Sequence, residues 1–154
     1  MIPPAPYTFY KKSAALRISP IMPKAIENGD YTNTEPGAVL IELAKGVGQR
    51  KYDWEHKITL ALNQLELGGI LAEYGLKKQE LKFYHDPNKG KNNEGQEGKT
   101  YTMKRTDSKG HAIGLYHKRK AGEDNSGYIV LNDAEYMVFS TLIKTAIPLI
   151  QAWN

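Results

Sequence analysis

The stretch Tyr52-Asp53-Trp54-Glu55-His56-Lys57-Ile58-Thr59-Leu60-Ala61-Leu62-Asn63-Gln64-Leu65-Glu66 decides the fold. Ile58, Leu60 and Leu62 fall two residues apart while Lys57 and Thr59 face the other way, the period of a half-buried strand. Asn63 follows as an N-cap with Glu66 three residues on. The amide oxygen of the Asn can accept from the first free helix N–H groups while the Glu carboxylate reaches back to the cap. Leu67, Ile70, Leu71 and Tyr74 then recur at helical spacing, and Gly75 suits the C′ position. A strand therefore runs directly into a helix.

The same junction recurs 69 residues later, where Leu131-Asn132-Asp133-Ala134-Glu135 repeats Leu62-Asn63-Gln64-Leu65-Glu66. Working outward, a strand is predicted from Tyr10 to Ile18, closed by Pro20 and Pro23, with a short, turn-bounded strand near 24–31. A buried strand follows at Ala38–Ala44, then a Gly46–Gly48 loop before the Tyr52 strand. The second half offers strands at Leu81–His85, Lys99–Thr106, His111–Lys118 and Ser126–Leu131, with a Gly-, Asn- and Lys-rich loop over Pro87–Gly98 that reads as mobile. Its helix carries Tyr136, Phe139, Ile143, Ile147 and Ile150, and Pro148 is expected to bend or break it. The predicted class is α+β: two four-stranded antiparallel sheets with a helix after each, a duplicated ββββα. One domain spans 1–154, with halves at about 7–75 and 81–154.

Composition narrows the function. The 154 residues include no cysteine, which excludes disulfides, thiol nucleophiles and thiolate metal sites. With 40% hydrophobic residues and a mean hydropathy of −0.56, the chain suits a soluble globular protein, and no apolar run is long enough to span a bilayer. The Met-Ile-Pro-Pro-Ala-Pro start resembles neither a signal nor a transit peptide, so a cytoplasmic or nucleoid-associated protein is expected, or an organellar one whose leader has been removed. Net charge is +4, but between residues 76 and 120 twelve Lys and Arg face five acids. Such a basic middle suits a polyanion.

No catalytic pattern accompanies it. His56, His85, His111 and His117 show no paired ligand spacing, and His111 and His117 are about 20 Å apart along one strand, so no metal is expected. No P-loop, G-x-S-x-G or G-x-G-x-x-G occurs. Asp53 beside Trp54, and His85-Asp86, read better as turn-fixing groups at strand ends than as catalytic pairs. The chain reads as a binding protein rather than an enzyme, with no cofactor. What remains is Lys, Arg and aromatic residues on strands: Lys82 and Tyr84; Lys99, Tyr101 and Arg105 on one face with Met103; Tyr116 with Lys118. Single-stranded nucleic acid is held this way, by bases stacked on aromatic rings and phosphates met by cations.

Three stretches in order resemble the Whirly family of single-stranded DNA-binding proteins. Tyr10-Lys11-Lys12-Ser13-Ala14-Ala15-Leu16 resembles the family's Lys-Gly-Lys-Ala-Ala-Leu motif. Tyr52-Asp53-Trp54 and the capped helix after it resemble its Tyr-Asp-Trp strand and following helix. Phe83-Tyr84-His85-Asp86-Pro87, with the glycine loop beyond, is similar to its Phe-Phe-His-Asp-Pro strand, and Ala134 through Trp153 to its last helix. The resemblance implies two blade-like sheets, homotetramers assembled through the helices, and single strands bound with little sequence preference at sheet edges. It places Lys11, Tyr52, Trp54, Phe83, Tyr84 and His85 in the matched motifs, and Lys12 beside Lys11 is a further candidate contact. Lys12 and Ser13 replace the motif's Gly and second Lys, the latter being the residue linked in the family to assemblies beyond the tetramer. A role in repair, recombination or replication follows. RNA binding or annealing, as in the related kinetoplastid mitochondrial proteins, and a transcription-cofactor type of protein–protein module are the alternatives.

Overall fold

The computed structural model describes residues 4–24, 36–74, 80–106 and 110–153. The first sheet opens with a hairpin, β1 (Tyr7–Tyr10) against β2 (Ala14–Ile21), which then pairs with β3 (Ala38–Gly48). β3 carries both β4 (Lys51–Tyr52) and β5 (Ile58–Leu62) along one side. These two act as a single fourth strand interrupted at 53–57. The chain then enters α1 (Gln64–Gly69), extended by a π-helical turn over Ile70–Tyr74. The second sheet is an antiparallel meander of β6 (Glu80–His85), β7 (Lys99–Arg105), β8 (His111–His117) and β9 (Asn125–Leu131), followed by α2 (Asp133–Ile150). The architecture is thus two antiparallel four-stranded sheets, each leading into a helix.

Both strand-to-helix junctions form as the repeat predicts. Asn63 Oδ1 accepts from the Glu66 N–H at 2.9 Å while Glu66 Oε1 accepts from the Asn63 N–H at 3.1 Å. Asn132 and Glu135 do the same at 2.8 and 3.0 Å. Each cap contributes about 1 kcal/mol. Histidines from the second sheet then pin both helix starts. His85 Nε2 lies 2.6 Å from Glu66 Oε2, and His111 Nε2 lies 2.7 Å from Asp133 Oδ1, its ring stacked on Tyr136 at 4.2 Å. A single core of alternate strand residues, with Leu67, Ile70, Phe139, Ile143, Ala146 and Ile150 from the helices, joins the two sheets.

Several local expectations are corrected. The Tyr10–Ile18 strand is in fact a hairpin that reverses at Lys11–Ser13, where Lys11 N–H bonds Ala14 O at 2.9 Å. Pro20 stays inside β2, beyond the Tyr7↔Ile18 pair that begins β1, so its missing N–H has only one strand beside it. Gly46–Gly48 is the end of β3 rather than a loop, with a register shift between the two glycines. The tight turn comes later, at Gln49–Arg50, and puts Arg50 at φ 56°. Pro148 does not break α2; two residues from the helix end, it is accommodated inside the last turn. The 87–98 loop is a succession of turns closed by Asp86, whose carboxylate accepts from Asn88 N–H and Gly95 N–H, each at 2.8 Å. Asp53 likewise fixes its turn by accepting from His56 N–H at 3.2 Å. The strand expected near 24–31, the Gly75 cap and the 107–109 turn lie outside the described residues, apart from a lone bridge at Lys24.

Candidate nucleic-acid interface

The register of the second sheet sorts its side chains into an inner and an outer face. Tyr84, Thr100, Tyr116 and Ser126 form one outer row, and Lys82, Thr102, Gly114 and Tyr128 the next. Tyr84 is 55% exposed, Tyr116 39% and Tyr128 63%. Between the rings the floor is threonine, serine and glycine. At Gly114 a Cβ would come within 2.6 Å of Thr102 Oγ1, so this floor has no room for a side chain. Tyr84 lies against Gly98, where an added Cβ would meet its ring. Tyr116 is oriented by donating its hydroxyl to Asp124 Oδ2 at 2.5 Å, a bond that raises the phenol pKa. An open groove of about 590 Å³ runs from this face to Ser13, Ala14, Lys45 and Gly46 of the first sheet. Lys45 lines it; exposed Lys82 and Lys104 lie on the same outer face, Lys104 directly across from Glu80, and exposed Lys118 follows the Tyr116 row.

The first sheet's outer face is more tightly engaged. Tyr10 and Tyr52 stand 5.6 Å apart over the paired Ala15 and Ala44, and Tyr52 donates its hydroxyl to Lys11 O at 2.6 Å. The Arg17 guanidinium lies 4.4 Å above the Trp54 ring, covering one face of an indole that is half-buried. Arg17 Nε and Lys57 Nζ both reach the buried Glu42 carboxylate, at 3.0 and 2.5 Å. Burial pushes the Glu42 carboxyl up, but those two hydrogen bonds and charges more than offset it and hold its pKa below the ordinary value. Lys11 is paired with Glu135. Exposed Lys12 and Arg50 instead line a second open groove with Tyr10 and Tyr52 at the strand ends, and exposed Lys51 adjoins Tyr52 in the chain.

The sequence-predicted residues therefore divide. Lys82, Tyr84, Tyr116 and Lys118 gather on one face, and Lys12, Tyr52 and Trp54 lie on the other sheet near Lys11. Tyr101 is corrected to a core residue: it is 0% exposed, its ring stacks with Phe83 at 5.9 Å, and no base can reach it. The face that carries it points inward, so Phe83 is half-buried, His85 meets Glu66, and Lys99 donates to Thr59 O at 2.7 Å. Arg105 sits at the exposed end of that inner row, where its charge acts on Tyr136. The sequence reading missed Tyr10, Tyr128, Lys45, Arg50, Lys51 and Lys104. Tyr128 carried a usable signal, since Ser126, Tyr128 and Val130 alternate with the buried Ile129 and Leu131.

Basic and aromatic side chains thus lie on the open faces of a twin-sheet α+β scaffold. Comparison with known proteins identifies the family. A model of the Whirly transcription factor family matches residues 9–142, and the chain belongs to that family. It is 32% identical over 97% of its length to the mitochondrial single-stranded DNA-binding protein WHY2 of Arabidopsis thaliana, covering 64% of that protein. Against the chloroplastic single-stranded DNA-binding protein WHY1 of Solanum tuberosum it is 30% identical over 96% of its length, covering 55%. The chain thus spans about 55–64% of these relatives. The crystal structure of Arabidopsis thaliana WHY1 superposes with a TM-score of 0.84 at 29% identity, covering 97% of this chain and 86% of that one. The plant transcriptional regulator PBF-2 gives the same score and identity, with 97% and 83% covered. Among the described residues, no helix is long and apolar enough to cross a membrane.

Proposed function

We propose that this protein binds single-stranded DNA with little sequence preference, stacking bases on Tyr84, Tyr116 and Tyr128 and meeting phosphates with Lys82, Lys104 and Lys118. One observation carries the reading: exposed tyrosines share one sheet face over a floor of small residues, with exposed Lys82 and Lys104 on the same face and Lys118 just beyond Tyr116. Every base has a π-face, so stacking recognises the strand without reading its sequence, while a duplex hides those faces. The first sheet adds Tyr10, Lys12, Tyr52, Arg50 and Lys51 as a second contact area. The relatives named as single-stranded DNA-binding proteins support the polymer, and their mitochondrial and chloroplastic names support an organellar setting. Exposed Leu65, Met137 and Val138 on the helices support self-association, with a homotetramer as the assembly. Protection of single strands in repair, recombination or replication is the cellular role.

The test is fluorescence anisotropy with oligo-dT, oligo-rU and duplex DNA at two salt concentrations. Tight dT binding, weak duplex binding and a log–log salt slope of about −0.7 per phosphate contact are expected. Preference for rU would move the protein to the RNA reading. Binding to none of the three would overturn the proposal.

A further inference from the structure

Two hairpin tips of the first sheet lie side by side, the β1–β2 reversal at Lys11–Ser13 and the β3–β4 turn at Gln49–Arg50. Gly46 N–H donates to Ser13 O at 2.8 Å, and a Cβ on Gly46 would come within 2.5 Å of Lys12 O, so glycine there permits the close approach. Between the tips runs the groove of about 770 Å³ lined by Tyr10, Lys12, Gly46, Arg50 and Tyr52. Gly46 also lines the groove that carries Tyr116 and Tyr128, as does Ser13, the residue after Lys12. A strand laid along the tyrosine face and past Lys45 therefore reaches these tips, where the first sheet ends.

The charge of this groove sets it apart. No acidic residue lines it, and Lys12 and Arg50 enter no ion pair among the described residues, whereas Lys11, Arg17 and Lys57 are each held by a carboxylate. The groove beside Thr59 sets Lys99 between His85 and His117 but adds Asp86 and Glu97. The one beside His56 sets Asp53, Glu123 and Asp124 against Lys45 and Arg119. Arg50 stands at φ 56°, a backbone conformation that glycine adopts freely and a residue with a Cβ adopts under strain. The turn thus carries a guanidinium at a position whose backbone favours no side chain. Tyr10 and Tyr52 already meet at 5.6 Å between ring centroids, so they offer one stacking surface rather than a slot.

We infer that this groove holds the phosphorylated end of the bound single strand. The inference rests on the strand-binding reading above and gives the second contact area its ligand. The last base stacks on the Tyr10–Tyr52 surface, and the terminal phosphate lies between Lys12 and Arg50. A phosphate inside a strand is a diester with one negative charge and two free oxygens. A phosphate at the end is a monoester with nearly two charges at pH 7 and three free oxygens. Two unpaired cations with no acid beside them match the monoester better. The guanidinium fork takes two of its oxygens and leaves the third for the ammonium.

The experiment follows the anisotropy of oligo-dT labelled at an internal base and ending in a 5′-phosphate, a 3′-phosphate or hydroxyls alone. A phosphate at one end is expected to tighten binding about fivefold over hydroxyl ends, and the end that responds gives the direction of the strand. Arg50→Gly keeps the left-handed turn and removes the guanidinium, so it is expected to bring that ratio close to unity without lowering the melting midpoint. Lys12→Gln should reduce the ratio in part. Tyr84→Ala, on the other sheet, should weaken all three strands alike and preserve it. Equal affinity for the three strands in the wild type, or a ratio that survives Arg50→Gly, would overturn the inference. So would loss of the ratio when free dTMP is added at the concentration of the strand, because the groove would then be a site for mononucleotides. If all three strands bind equally, only the end contact falls; if none binds, strand binding falls and the end contact falls with it.

Discussion

The two sheets share a plan, four antiparallel strands ending in an Asn-x-x-Glu capped helix, yet they use their outer faces differently. On the first, polar and aromatic groups are tied to each other: Arg17 to Trp54 and Glu42, Lys57 to Glu42, Tyr52 to Lys11 O. On the second, Tyr84 and Tyr128 stand open over threonine and glycine, and Tyr116 is held by Asp124 at its hydroxyl. A ring whose face is already covered contributes stability, and a ring whose face is open can contribute affinity. Duplicated architecture therefore does not mean duplicated function; the partners each side chain finds decide which of the two it does.

The comparison can be broken at several levels. Ile143 is fully buried where α2 meets the shared core, so Ile143→Asp is expected to cost more than about 3 kcal/mol, unfolding both faces together. Denaturant melts would show loss of the cooperative transition; an unchanged midpoint would refute its place in the core. Glu42→Ala leaves two cations without their carboxylate and should lower stability by about 2 kcal/mol, read from the urea midpoint, with oligo-dT affinity nearly intact. Because the Glu42 pKa is depressed on folding, its contribution is fully present above the ordinary carboxylate range and disappears as pH falls through the lowered value. The wild type should lose that increment below about pH 4.5, whereas Glu42→Ala should show a flatter acid limb in pH-dependent melts.

The second sheet should respond in the opposite sense. Tyr84→Ala and Tyr128→Ala are each expected to weaken oligo-dT binding by about 1–3 kcal/mol while melts shift little. If Tyr52→Phe, which removes only the hydroxyl bond to Lys11 O, weakened binding as much as either, the division between the sheets would be wrong. The smallest effect is expected from Lys104→Gln, which should reduce the salt slope by about 0.7 without changing base preference, as measured by anisotropy across salt concentrations.

Much of the scaffold was legible along the chain. Asn63 with Glu66 and Asn132 with Glu135 announced both helix starts, because a capping box is local chemistry within four residues. Ile58, Leu60 and Leu62 announced their strand by alternation alone. The hairpin at Lys11–Ser13 was not legible, since no glycine or asparagine marks that turn. The interruption at 53–57 was legible in part: Asp53 read as a turn-fixing group and does accept from His56 N–H. The facing of β7 was read in reverse. Lys99, Tyr101, Met103 and Arg105 alternate with Thr100, Thr102 and Lys104. Only the first set carries bulky apolar side chains, Tyr101 and Met103, but the cations at both of its ends made it read as a surface row.

The sequence by itself determined the elements whose cause is local: strand periodicity, the paired caps, the basic middle, and the motif order shared with the Whirly family. Tertiary structure decided which aromatic rings are covered by partners and which are free, placing Tyr101 in the core against its reading as a surface ring. It also decided that Lys99 would stand between two imidazoles from different strands. The reason is physical: exposure, partner charge and cross-strand neighbours are properties of packed surfaces, set by residues remote along the chain, and no local pattern encodes them.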